Sequence, residues 1–302
     1  MGVYGIRPLK KFAQNFLIDG RIGQKIIDCA RLGEEDSVLE IGAGHGELTG
    51  LIADKAGKVI AIEMDKKLCR LLNKKFSKFE NVEIVEGDIL KQDIRKLTCG
   101  GKKLTSGKRT KVIGNLPYYI TTPILMKLFD EKDLFSQLII MVQREVADRM
   151  SADPGSKTYG ALSVAVCYHA KVKEVIPVSR RSFYPEPDVD SCLISMNIRK
   201  VPPVTVSDEK MFFSFIKGTF SERRKMLYNA ISRVVPIGKK EAEEMLLRIG
   251  IDPKVRPEKL SLNEFARIFD MLNGCEKKGT GNNENYARSS QSYCKTLSNQ
   301  TE

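Results

Sequence analysis

Residues 37–49 read Ser37-Val38-Leu39-Glu40-Ile41-Gly42-Ala43-Gly44-His45-Gly46-Glu47-Leu48-Thr49. A short apolar β-type run passes directly into three glycines at alternate positions, and a helical pattern begins at Glu47. Glycine lets a chain turn sharply and lets a ligand approach its backbone closely. The stretch reads as strand, ligand loop, helix, the opening of a doubly wound α/β domain whose ligand sits at the carboxyl ends of the strands. The spacing is GxGxG. The dinucleotide fingerprint GxGxxG wants glycine at 47, where this chain carries Glu47, an acid facing any anion at the helix start. That departure argues against a pyrophosphate ligand. His45, inside the loop with no partner acid in view, reads as a solvent-facing loop residue and not as a general base.

Working outward, strand-like runs occur at 37–41, 58–62, 82–85, 111–114 and 138–142, with helical patterns near 20–32, 46–56, 65–77 and 121–130. Such alternation predicts a largely parallel sheet. The next two strands also deliver acids. Glu63 closes VIAIE and can accept both hydroxyls of a ribose; Asp88 follows in VEGD and can accept from an adenine amino group. Glu40, ahead of the glycines, suits a ligand with an amino group and a sulfonium. Together these stations point to a nucleoside cofactor, S-adenosyl-L-methionine, as methyl donor. Candidate strands at 161–168 and 190–197 flank SRRSFYPEPDVD and would extend the sheet with an antiparallel edge. Val201-Pro202-Pro203 reads as a linker, and 208–220, 221–235, 239–250 and 261–273 as helices. The expected organisation is a catalytic domain over 1–200, a helical domain over 201–273 and a disordered polar tail over 274–302.

The 302 residues carry 50 Lys+Arg against 38 Asp+Glu, a net charge of +12. The excess suits a polyanionic partner such as nucleic acid, although solubility alone accounts for it equally well. No apolar run reaches the roughly 18 residues of a membrane span. Seven scattered cysteines without a CxxC, and only two histidines, argue against a disulfide framework or a zinc site. With no signal-peptide core, a cytoplasmic location is expected. Residues 95–111 carry Arg95, Lys96, Lys102, Lys103, Lys108, Arg109 and Lys111 with no acid. They read as a loop between two strands, either a solvated insertion or a phosphate-contacting finger.

The fourth strand ends in Val112-Ile113-Gly114 and runs into Asn115-Leu116-Pro117-Tyr118-Tyr119. An exocyclic adenine amine is a poor nucleophile because its lone pair is delocalised into the ring. The side-chain oxygen of Asn115 and the carbonyl of Leu116 can accept its two hydrogens and favour a more tetrahedral nitrogen. Pro117 stiffens the backbone behind that carbonyl. Tyr118 offers a face for stacking, worth roughly 1–3 kcal/mol per base. No strong base is required, and catalysis would be mostly positioning, a source of up to about 7–11 kcal/mol.

These segments resemble the ribosomal RNA adenine N6-dimethyltransferase family, the small-subunit dimethyladenosine transferases. The resemblance spans residues 10 to about 272 through KKFAQNFLID (10–19), VLEIGAGHGELT (38–49), IAIEMD (60–65), VEGDIL (85–90), GNLPYYITTPIL (114–125), MVQREVADRM (141–150), YGALSVAVCYHAKV (159–172) and SFYPEPDVDS (182–191). It implies a Rossmann-like class I methyltransferase sheet with a small C-terminal all-α domain. It implies that Gln14, Asn15 and Leu17 close over the methionine end of the cofactor and that Gly42 and Gly44 form its loop. Glu63 with Met64 would serve the ribose, Asp88 with Ile89 the adenine ring, and Asn115 both cofactor and target base. Tyr118 and Phe183 would sandwich the flipped adenine. The loop departs from the family in reading GAG where GPG is common.

Antibiotic-resistance enzymes that dimethylate a large-subunit adenine share the fold. FFSFIKGTFSERRKMLYNAIS (212–232) resembles the second domain of the small-subunit family, with Lys217, Arg223, Arg224 and Lys225 as RNA contacts. Three consecutive cations at a helix start can clamp phosphates; the same stretch also reads as an amphipathic helix with solvated charges. The implied substrate is a pair of adjacent adenines in the 3′-terminal hairpin loop of small-subunit rRNA, within an immature subunit, acted on by a monomer. Two alternatives from other classes stay open: an assembly factor whose binding matters more than its methylation, and a nucleic-acid-binding transcription factor, as mitochondrial relatives of the family are.

Overall fold

Branched apolar residues fill the short runs at 37–41, 58–62, 111–114 and 138–142, and in the computed structural model they form strands covered on both faces: Val38, Leu39, Val59, Ile60, Val112, Ile113, Leu138 and Ile139 are fully buried. Parallel strands of this kind need no polar face. The structure describes residues 14–101 and 109–278, the last five as backbone only. The expected disorder of the tail from 279 onward, and the cations Lys102, Lys103 and Lys108, fall outside the described residues.

The strands in chain order are β1 (Phe16–Leu17), β2 (Ser37–Ile41), β3 (Lys58–Glu63), β4 (Val82–Glu86), β5 (Thr110–Asn115), β6 (Phe135–Gln143), β7 (Ala170–Val178), β8 (Phe183–Tyr184) and β9 (Ser191–Ile198). Seven of them form one sheet in the order β4-β3-β2-β5-β6-β9-β7. Neighbours from β4 to β6 are parallel, and β9 runs antiparallel to both β6 and β7. The order reverses between β2 and β5, so the glycine loop after β2 and Asn115 at the end of β5 flank the switch point where doubly wound folds bind ligands. Three of the intervening helices start on side-chain caps: Asp19, Asp65 and Asp93 accept from the N–H groups of Arg21, Lys67 and Lys96, each worth about 1 kcal/mol. Apart from the large sheet, β1 and β8 pair antiparallel, Phe16 opposite Tyr184 and Leu17 opposite Phe183.

The chain divides into two compact units, one up to residue 148 plus 169–200, the other 149–168 plus 201 onward. The sequence assigns 149–168 to the catalytic domain; the structure groups it with the C-terminal helices. The cause is local bonding: the Gly155 N–H donates to the Glu258 carbonyl at 2.7 Å and the Tyr159 hydroxyl to the Leu260 carbonyl at 2.9 Å. The expected strand at 161–168 is instead a helix, Ala161–His169, and the edge strand is β7 immediately after it. Its nine residues are apolar nearly all round, so period alone does not separate helix from strand. Ser163 Oγ turning back to accept from the Gly160 N–H at 3.0 Å starts the helix, and Val164 and Tyr168 bury against Phe212 and Phe269 in the second unit's core.

Two further differences concern helix limits. The last helix runs Leu262–Lys278, past the expected end at 273 and through Gly274; Asn273 Nδ2 donates to Ser207 Oγ at 3.0 Å. The expected helix over 221–235 is shorter, Leu227–Val234, preceded by a turn at 222–226. The 95–111 segment is likewise not all loop. Asp93 caps a helix over Ile94–Cys99, and Arg95 binds both oxygens of Asp133 at 2.9 Å. Lys111 lies in β5, where its ammonium donates to the carbonyls of Ala30 and Arg31 and to Asp36 Oδ2 at 3.0, 3.1 and 2.9 Å. It closes the carbonyl end of helix Gly20–Ala30 and is not a phosphate finger. Lys111→Met should lower stability by about 1–3 kcal/mol through the acceptors it strands, measured by denaturant unfolding, with RNA affinity unchanged.

Candidate functional site

Glycine makes the floor of the crevice possible. At Gly46, φ is +81° and a Cβ would lie 2.7 Å from Leu72 and Phe76, so the loop can press onto helix Lys66–Lys75 only without a side chain. At Gly44, φ is +58° and a Cβ would meet the Phe16 ring at 3.1 Å. This is a cradle open to a ligand and closed to larger residues. The Gly44 N–H donates to Glu63 Oε2 and the Asp65 N–H to Glu63 Oε1, both at 2.9 Å, which ties the loop to the end of β3. Asp88 Oδ1 accepts from the Leu90 N–H at 2.9 Å, leaving its second oxygen available beyond β4.

Gly42, Gly44, Glu63, Met64, Asp88, Ile89 and Asn115 all line one crevice at the carboxyl ends of β2 to β5, together with Gln14 and Asn15 from the chain before β1 and Leu116, Pro117 and Tyr118 after β5. Asn115 Nδ2 donates to the Asn15 carbonyl at 2.8 Å. With its NH₂ end held there, the amide is left with its oxygen as the free acceptor. Tyr118 is half-buried, and its hydroxyl bonds Ser191 Oγ, itself fully buried, at 2.7 Å.

Leu17 and Phe183 do not reach the crevice. They face each other across the β1–β8 pair and pack into the core beneath it, Phe183 with 2% of its surface exposed. Opposite residues of a ladder share a face and successive residues alternate, so the pair that turns Leu17 and Phe183 inward turns Phe16 and Tyr184 the other way. Phe16 lines the crevice and was missed in the sequence because it reads as one more core aromatic. Tyr119, also on the lining, was overshadowed by Tyr118; the doubled Tyr-Tyr was its only signal. His45 is not solvent-facing. It is 3% exposed, its ring 4.2 Å from that of Phe16, and burial holds its imidazole below the usual value. Glu40 does not line the crevice either. It lies beneath the loop, 1% exposed, and neither oxygen makes a well-formed hydrogen bond. Burial pushes its carboxyl up to about 7, opposed only in part by the nearby Thr49 hydroxyl. Burial also raises Glu63, against the pull of the N–H groups it accepts, and raises the Tyr118 phenol against its bond to Ser191.

The candidate RNA contacts belong to the second unit. Lys217, Arg223, Arg224 and Lys225 are all exposed. Lys217 is in helix Glu209–Ser221, whereas the three consecutive cations occupy the 222–226 turn and not a helix start. Arg223 is drawn toward Glu258 at 3.5 Å. Among the described residues, no group of His, Cys, Asp and Glu is placed to hold a metal, and no helix is long and apolar enough to cross a membrane.

A family model described as ribosomal RNA adenine dimethylase matches residues 7–274. The chain belongs to that family. Ribosomal RNA small subunit methyltransferase A of Bacillus pumilus (strain SAFR-032) is 42% identical over 272 residues, covering 89% of this chain and 92% of that protein. Its namesake from Bacillus mycoides (strain KBAB4) is 41% identical over the same length. Among solved structures, a dimethyladenosine transferase from Plasmodium falciparum superposes with a TM-score of 0.72 at 28% identity, covering 86% of this chain and 98% of that one. The 23S rRNA methyltransferase ErmE gives 0.64 at 25% identity, covering 86% of this chain and all of that one. This dimethylase therefore has the Rossmann-like methyltransferase fold that the resemblance implies, and it is an rRNA adenine dimethyltransferase.

The buried acid of the dimethylase gives a pH signature. An acid with a raised folded-state value stabilises fully below its unfolded value near 4.5 and loses that contribution as pH climbs to about 7. The melting temperature of Glu40→Gln, relative to the parent chain, should rise steadily between those limits and then level off, a change on the order of 3 kcal/mol in stability. A difference that stays constant from pH 4 to 8 would remove the buried neutral acid from this account.

Proposed function

We propose that the chain transfers methyl groups from S-adenosyl-L-methionine to N6 of two adjacent adenines in the 3′-terminal hairpin loop of small-subunit rRNA, on an immature subunit in the cytoplasm and as a monomer. The observation that carries this reading is the Asn115 amide, held by its NH₂ at the switch point, in the crevice that Glu63 and Asp88 also line. The substrate is supported by the two Bacillus relatives, both named for the small subunit. The donor is supported by the cradle at Gly44 and by acids at the ends of successive strands.

When bound, S-adenosylmethionine supplies an electrophilic methyl group on a sulfonium. Everything else falls to the chain. Gly42 and Gly44 let the backbone approach the ligand. The bonds Glu63 accepts leave acceptor capacity for ribose hydroxyls, since a carboxylate has about four lone-pair sites. The second oxygen of Asp88 takes an adenine amino hydrogen. At the target, Asn115 Oδ1 and the Leu116 carbonyl accept the two amine hydrogens and localise the nitrogen lone pair, while Tyr118 supplies the stacking face. Pro117, at φ −58°, keeps that turn rigid. Among the described residues no Lys, Arg or His lines the crevice, and the transfer needs none, because an alkylated amine releases its proton readily to water. Unpaired loop bases cost little to extrude, which suits such a site. The exposed cations at 217 and 223–225 are assigned to RNA phosphates.

Incubating the full chain with immature small subunits and labelled S-adenosylmethionine should yield labelled N6,N6-dimethyladenosine from small-subunit RNA. Label confined to large-subunit RNA would move the enzyme to the class represented by ErmE. Asn115→Ala should lower kcat by about 100–1000-fold, the usual cost of removing one preorganised acceptor or donor, in a protein that unfolds at the same denaturant concentration. If Asn115→Ala kept near-full turnover, the amide would have no part in the chemistry.

A further inference from the structure

Of the aromatic residues expected to hold the target base, Phe183 is turned into the core, yet the crevice lining has a second tyrosine. We propose that Tyr119 is a stacking station for the base adjacent to the target adenine, a subsite for an unpaired flanking nucleotide; this rests on the reading above and refines its substrate side. Tyr118 and Tyr119 share one 3₁₀ turn, Tyr118–Ile120. Successive side chains on such a turn diverge by about 120°, so the two rings cannot serve the same base. Tyr118 is half-buried and anchored through its hydroxyl to Ser191. Tyr119 lines the crevice while 56% of its surface stays in solvent.

An exposed ring at a mouth is a useful platform only if its backbone is rigid, and this one is pinned. The Ile120 N–H donates to the Pro117 carbonyl at 3.2 Å, and the Thr121 hydroxyl donates to that same carbonyl at 3.1 Å. Extruding one base from a loop strips its neighbour of a stacking partner, at a cost of a few kcal/mol. A ring fixed one residue along from the target's own stacking face restores that contact on the protein. Stacking asks only for a π-face, so the station selects an unpaired neighbour and not a particular base.

The test measures equilibrium binding of the full chain, without cofactor, to a labelled RNA hairpin with two adjacent loop adenines. Tyr119→Ala should weaken binding about tenfold, and Tyr119→Phe, which keeps the ring, by less than about twofold. Removing the base on one side of the target adenine should weaken binding by the parent chain as much as Tyr119→Ala does, and should weaken Tyr119→Ala no further. Parent-like affinity in Tyr119→Ala, equal losses in Tyr119→Phe and Tyr119→Ala, or fully additive losses at both flanking positions would each overturn the proposal. Label transfer to immature small subunits is scored separately. A parent chain that transfers label while Tyr119→Ala binds normally sinks only this inference, whereas the expected binding pattern with no transfer sinks the functional reading instead.

Discussion

The 2.8 Å bond from Asn115 Nδ2 to the Asn15 carbonyl joins chain segments a hundred residues apart at the end of β5. It settles which end of the amide is free to accept. It also fixes the stretch before β1 against the crevice. The short β1–β8 ladder completes the arrangement, because pairing Leu17 with Phe183 aims Phe16 toward the glycine loop. Phe16 then occupies the space that a side chain at 44 would fill. The need for glycine at 44 and the placement of the amide at 115 are therefore one constraint seen from two sides.

Two buried acids adjoin the loop, with different surroundings. Glu63 accepts N–H groups from Gly44 and Asp65, whereas Glu40 has no bonded partner. Two buried carboxylates near each other cannot both ionise cheaply, and hydrogen bonds to the charged form decide which one does. Burial raises both carboxyls, but at Glu63 the N–H groups oppose the rise, whereas Glu40 is pushed up to about 7. Glu40 thus belongs to the scaffold of the loop and not to the ligand.

Much of this was legible in the sequence. The glycine spacing, the strand-ending acids and Asn-Leu-Pro-Tyr pick out the crevice because strand ends in a doubly wound sheet have one place to go. What escaped depended on contacts between distant residues. A two-residue ladder decides that Phe183 faces inward and Phe16 outward, and no local pattern encodes a ladder that short. The helix at Ala161–His169 is apolar on nearly every side, so only its burial against Phe212 and Phe269 separates it from a strand. Lys111 looked like part of a basic finger until its bonds to Ala30, Arg31 and Asp36 placed it under a helix end.

The charge of the chain also acquires a meaning from where it is absent. A net +12 coexists with a crevice whose lining, among the described residues, is Glu63, Asp88 and neutral residues. A sulfonium donor and an amine that turns cationic as it is alkylated would both be repelled by lysine or arginine at close range. The RNA backbone demands the opposite, since each phosphate contact needs a cation. Lys217, Arg224 and Lys225, the RNA contacts proposed above, are exposed in a helix and a turn of the second unit. Methyl transfer to a polyanion sets two incompatible electrostatic requirements, and the proposed assignments meet them on separate elements, acids at strand ends and cations in a helix and a turn.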